Sequence, residues 1–395
     1  MPVSERMRRL SYPAIALAGV LLLGGGGNPA EAREAVPIDG FRDAVHHWQL
    51  KRGSDYSRHD PSDVGAIADN LLLLQRDHGG WAENRDPLRV LSEDEIAELV
   101  AEKSEPHGSF DNRNVYTQIE YLMGAYAQLG DPRYLAAAER GLDYLLSHQC
   151  EICGGWPHSA PAKSAYQGRI TVADEVFSGP LTLLRGIAEA RSPLDGFDEM
   201  TRQQAEASLR RGDDCLLRLQ IRQGETLTGW AGQYDPQTLE PKGGRSFELP
   251  AIVSEETVSV LEYLTSIAAP SPEVIASVHG AGNWLRRVQI DGWKLETVRL
   301  DEPVEYNFHV TDFDRRLVED PDAPPLWARF HDLADNSVVL ANRDGVRVER
   351  YDQIHPERRT GYSWFGNSPA SFLEKTYPAW QCRVEPDQAP EGMCD

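Results

Sequence analysis

Four times along the chain a Leu-rich helical stretch gives way to a Gln, a short polar run and a Gly-Trp pair. The first is "LLLLQRDHGGW", ending at Trp81, and the others end at Trp156, Trp230 and Trp293. The spacings are 75, 74 and 63 residues, and recurrence with a shared ending marks a repeat architecture. Between these endings the text is helical and paired. Val115, Ile119, Leu122, Met123 and Tyr126 follow helical spacing, Gly130-Asp131-Pro132 breaks it, and Leu135, Ala138, Leu142, Leu145 and Leu146 carry a second helix. A further pair falls near 175–190 and 201–220. The last has Val260, Leu261, Leu264 and Ile267, then a helix opened by Ser271-Pro272-Glu273 with its face on Ile275, Val278, Trp284, Leu285 and Val288. Helical hairpins repeated about an axis predict a mainly α fold, an incomplete α/α toroid.

After Trp293 the pattern changes. "SVVLANRDGVRVERY" alternates around Asp344-Gly345 and reads as a small β-hairpin, and a short helix is expected near Ser368–Thr376. The C-terminal third is thus a mixed part expected to pack on the toroid.

The first 32 residues read as a secretory signal peptide. Arg6, Arg8 and Arg9 form a positive start, Ala14–Gly27 an apolar stretch too short and Gly-rich for a comfortable span, and Ala30-Glu31-Ala32 a cleavage site. Residues 33–395 are then one domain, secreted or periplasmic, with no membrane segment, and expected to be a monomer. The 40 basic residues against 62 acidic ones argue against nucleic acid as a partner. Of the five cysteines, Cys382 and Cys394 can close a C-terminal loop. Cys150 and Cys153 can form a disulfide, a redox pair or half a zinc site, and Cys215 reads as a buried thiol.

Connectivity predicts where function collects. In an antiparallel helix pair the start of the first helix and the end of the second share one end of the bundle. The Gly-Trp stretches follow second helices. Asp111-Asn112, Asp174-Glu175 and Arg245 precede first helices. All should crowd one rim, with Trp81 and Trp156 either as aromatic platforms for sugar or as core plugs.

Several stretches resemble the family 10 pectate lyases. "DNLLLLQRDHGGW", "RGDDCLLRLQI", "LTGWAGQYDPQTLEP" and "GGRSFELP" match in order, and residues 324–366, from "PPLWARF" to "RRTGYSWFG", carry the most specific likeness. The resemblance spans roughly residues 60 to 380 and implies Ca2+-dependent β-elimination of polygalacturonate or a related acidic polysaccharide. It implies Asp111, Asn112 and Asp174 as metal ligands, oxygen donors of the kind Ca2+ takes. It implies Arg245 as the base, and Arg358 and Arg359 as a clamp on substrate carboxylate. Asn112, Trp81, Trp156 and Tyr362 complete the expected substrate contacts. Two departures stand out: Arg113, Asn114, Val115 and Tyr116 replace small residues after Asp-Asn, and the acidic pair is Asp174-Glu175 rather than two Asp. The competing readings are a non-catalytic periplasmic carbohydrate-binding relative and a toroid glycoside hydrolase using Asp111 with Asp174 or Glu175.

Overall fold

A computed structural model describes residues 35–388 and Cys394; the signal-peptide reading falls outside the described residues. After the N-terminal helix α1 (Arg42–Arg52) come α2 (Val64–Leu74) and α3 (Glu93–Ala101). The hairpins follow: α4 (Tyr116–Leu129) with α5 (Pro132–Ser147), α6 (Ser178–Ala188) with α7 (Glu199–Leu219), and α8 (Ser254–Ser266) with α9 (Pro272–Arg287). Helix α4 packs on α6, α6 on α8 and α7 on α9, so the hairpins run side by side around one core. This is the expected mainly α toroid. Asp131 with Pro132 caps α5 and Ser271 with Pro272 caps α9, where the sequence signalled a helix start, and Asp198 caps α7. Gly130 ends α4 at φ 69°, a left-handed conformation that glycine adopts without strain.

The recurring Gln and Trp are the joints of the ring. The indole N–H groups of Trp81, Trp156 and Trp230 donate to the carbonyls of Leu71, Leu145 and Leu216 at 3.0, 2.9 and 2.8 Å. Each thereby occupies a carbonyl near the end of the helix before it, where intrahelical partners run out. The Gln side chains reach across to the next hairpin. Gln75 donates to Gly79 and Ala137, Gln149 to Gly154 and Ser208, and Gln220 to Thr228 and Ser277. One amide thus closes its own turn and fastens it to α5, α7 or α9.

The fourth repeat is different. The indole that donates to Leu285 in α9 belongs to Trp327, at 2.8 Å, not to Trp293. Trp293 opens an antiparallel hairpin of strands Trp293–Glu305 and Val310–Glu319, which the sequence reading did not anticipate. This insertion carries the Gly-Trp signature away from the structural position it marks elsewhere, and among the described residues Gln289 reaches only Asp291.

The small hairpin at Asp344-Gly345 is present, with Leu340 opposite Val348. A second apolar cluster, including Phe247, Phe330, Tyr351 and Trp364, holds the C-terminal part together. The cysteines correct one expectation. Cys215 bonds to Cys153, tying the turn after α5 to α7, and leaves Cys150 free; Cys382 bonds to Cys394 as expected. The Cys153–Cys215 bridge closes a loop across a separation of 62 residues. Cys215→Ser should therefore lower unfolding free energy by about 2–4 kcal/mol, read in denaturant titration under oxidising conditions. Equal stability would show that the bridge contributes nothing to the fold.

Candidate active site

Short strand pairs stitch the stretch after Trp156, Trp230 and Trp327 back to the segment that opens the preceding inner helix, and the Trp carbonyls bind the segment that opens the next one. Gly108–Ser109 pairs with Ser159–Ala160, Ile170–Thr171 with Gln233–Tyr234, and Ile252–Val253 with Phe330–His331. The carbonyls of Trp81, Trp156 and Trp230 accept from Ser109, Thr171 and Val253. The expected rim therefore forms, and it opens into a cleft of about 710 Å3 lined by Asp111, Asn112, Asp174, Arg245 and Tyr362, with His47, His158, Glu248, Glu256 and Arg329.

Two of the expected substrate contacts are core pegs instead. Trp81 is 1% exposed and Trp156 0%, and their indole N–H groups are spent on helix carbonyls. They mark the correct end of the ring but offer no face to sugar. Trp156→Ala should cost roughly 3–5 kcal/mol of stability, as expected for a buried large aromatic. Calorimetry checks this; weakened substrate binding with an unchanged melting temperature would restore the platform role.

The segments holding the acidic residues are locally strained. Asn112, Arg113 and Val115 have φ of 54°, 63° and 75°, and Asp174 and Glu175 have 54° and 58°. Left-handed backbone at non-glycine residues costs on the order of 1–3 kcal/mol each and clusters at functional sites. The departures form one network. Arg113 Nη1 lies 2.5 Å from Glu175 Oε1, and the Tyr116 hydroxyl donates to Glu175 Oε2 at 2.9 Å. The bulkier residues after Asp-Asn thus hold the second acid, and none of the three lines the cleft, which keeps Asp111, Asn112 and Asp174.

Asp111 is positioned by His158 Nε2 at 3.3 Å and by the Asn112 amide at 3.1 Å, while that amide also donates to Asn84 at 2.9 Å. No hydrogen bond among the described residues reaches Asn112 Oδ1. Burial, and then the Asp111 charge, push the Asp174 carboxyl above its usual range. Burial likewise pushes Glu256 up, against Arg329 at 2.7 Å. Among the described residues no three His, Cys, Asp or Glu side chains form a complete metal cluster. Two carboxylates that sense one another, beside a free amide oxygen, fit a hard cation whose other ligands come from water and substrate.

Arg245 is half exposed to the cleft, and its guanidinium donates to Glu248 Oε1. Tyr362 donates to the same oxygen at 2.8 Å, with the Arg245 guanidinium 5.4 Å from its ring centre. Burial alone would lower the arginine pKa, but the Glu248 hydrogen bond and charge, with Tyr362 and Asp174, raise it above the ordinary value.

Arg358 and Arg359 do not reach the cleft. Arg358 is 4% exposed, grips Glu357 and lies 4.7 Å from the Phe247 ring centre. Arg359 donates to Asp314 at 2.9 Å and to the Ile354 carbonyl at 2.7 Å. Both are consumed in holding the turn that carries Tyr362. The cleft's second guanidinium is Arg329, its Nη1 on Glu255 and Nη2 on Glu256, both at 2.7 Å. In the sequence it is a lone charge between Ala328 and Phe330, inside the 324–366 stretch of family likeness but not singled out there.

A ring of helical hairpins with carboxylates and guanidiniums facing one polar cleft at its rim is the architecture of a polysaccharide-processing enzyme. A model of the pectic acid lyase family matches residues 75–373. A mutant family 10 polysaccharide lyase from Cellvibrio cellulosa in complex with trigalacturonic acid superposes with a TM-score of 0.68 at 25% identity, over 86% of this chain and 98% of that one. Another structure of a family 10 polysaccharide lyase from the same organism gives 0.66 at 25% identity, over 86% and 96%. No curated protein matches the chain. The chain belongs to the pectic acid lyase family. It is a polysaccharide lyase, and the hydrolase and binding-only readings fall.

Proposed function

We propose that this chain is a secreted, Ca2+-dependent pectate lyase that cleaves polygalacturonate or a closely related uronate polymer by β-elimination. The observation that carries the reading is the meeting of Arg245 with Asp111, Asn112 and Asp174 around one cleft. Elimination removes the proton at C5, α to the uronate carboxylate, and expels the sugar oxygen at C4. Ca2+ held by Asp111, Asn112 and Asp174 would draw off the negative charge that develops on the substrate carboxylate. Arg245 takes the C5 proton at a guanidine nitrogen. Glu248 and Tyr362 aim that group but also hold it protonated, so the reactive fraction grows with pH. Arg329 and Lys242 provide the positive lining for substrate carboxylates that Arg358 and Arg359 do not. The N-terminal 32 residues, read as a signal peptide, support secretion.

The test is ultraviolet absorbance of unsaturated product on polygalacturonate, a methyl-esterified pectin and a neutral polysaccharide. Absorbance rising on polygalacturonate alone, and faster towards alkaline pH, is the expected result. Product from the neutral polymer, or none from any uronate polymer, would overturn the reading.

A further inference from the structure

A second depression of about 820 Å3 adjoins the cleft, and the two share His47, Leu50, Glu83 and Asn84. Their charges contrast. Acidic residues outnumber Lys and Arg along the cleft, which is apt for a cation. The annex is lined by Lys51, Arg52, Arg76, Arg85 and Lys163 against Glu83, Glu102 and Glu105. One of these acids is shared between two guanidiniums: Glu102 meets Arg76 at 2.8 Å and Arg85 at 3.1 Å. Lys51, Arg52 and Lys163 make no ion pair among the described residues, and all three are exposed. In a chain of formal net charge −22 this is a concentrated positive surface at one end of a groove.

Helix α1, which contributes Lys51 and Arg52, precedes the span matched by the family model. It is anchored through Trp48, whose ring centre lies 3.8 Å from the Arg89 guanidinium. The far border includes Phe308, from the tip of the inserted hairpin, 66% exposed. A polyanion that reacts in the cleft and extends past Asn84 enters this annex, where unpaired ammonium groups face it.

We propose that the annex is a further subsite for uronate units beyond those held in the cleft, with Lys51 and Lys163 meeting their carboxylates. The proposal rests on the uronate-lyase reading. Exposed charge pairs are individually weak and are screened by salt, so the annex acts on affinity for long chains and leaves the chemical step alone.

The experiment compares the full chain with the K51A/K163A double variant on trigalacturonate and on long polygalacturonate, at low and high salt. KM on the polymer should rise about fivefold at low salt with kcat unchanged, and the trimer constants should not move. The difference should shrink at high salt. An equal loss on trimer and polymer, or no loss on the polymer, overturns the proposal. A wild type that turns over neither substrate sinks the lyase reading instead. Retardation in native gels cast with polygalacturonate, measured for each protein against its own mobility in a polymer-free gel, then tests the annex by itself: the double variant must be retarded less than wild type, and equal retardation of the two overturns it.

Discussion

Arg245→Ala should lower kcat on polygalacturonate by about 10²–10⁴-fold while leaving substrate affinity within a few-fold of wild type. The side chain stands half exposed at the cleft and pairs with Glu248, so its removal leaves the core intact. Lys in its place should rescue poorly, because an ammonium point charge does not reproduce a planar fork held between Glu248 and the Tyr362 ring. The neighbours of Arg245 raise its pKa, so the deprotonated form is scarce at neutral pH and the wild-type rate should keep climbing into the alkaline range. Glu248→Gln removes the charge that favours protonation and should move that climb to lower pH. Single-turnover rates across pH, with binding measured separately, check all three variants. Near-normal turnover by Arg245→Ala would assign the proton to another group.

The second large effect concerns the cation. Chelation should abolish elimination and added Ca2+ should restore it, since without the cation the charge developing on the substrate carboxylate has no divalent ion to meet it. Asp174→Ala should raise the Ca2+ concentration needed for half-maximal rate by at least about tenfold, because the donor set has two carboxylates and one amide. Asp174 stands exposed at the cleft and not in the core, so folding should suffer little from its removal. Ca2+ titration of activity beside thermal unfolding separates the two effects. An unchanged Ca2+ requirement would exclude Asp174 from the metal site, and full turnover in excess chelator would exclude the metal from the mechanism.

Much of this was legible in the sequence because the signals are local. The hairpins follow from helical periodicity, two second-helix starts from Asp131-Pro132 and Ser271-Pro272, and the shared rim from connectivity alone. That is why Asp111, Asn112, Asp174 and Arg245 could be placed at one rim from sequence, while Tyr362 was expected there only from the family resemblance. What failed was the direction four side chains face. Trp81 and Trp156 lie at the rim in sequence order, yet their indoles turn inward to helix-end carbonyls. Arg358 and Arg359 sit in a recognisable motif, yet Glu357 and Asp314 claim them.

The sequence by itself determined the repeat, the class of fold and the end of the ring at which chemistry collects, since periodicity and chain connectivity are properties of neighbouring residues. Only the tertiary structure decided which guanidiniums line the cleft, which cysteine Cys215 meets, and that Arg113 and Tyr116 serve Glu175. Those outcomes depend on partners from separate hairpins. Burial, opposite charge and hydrogen-bond geometry act only once the ring brings such groups within a few ångströms, and nothing in the local text records the meeting.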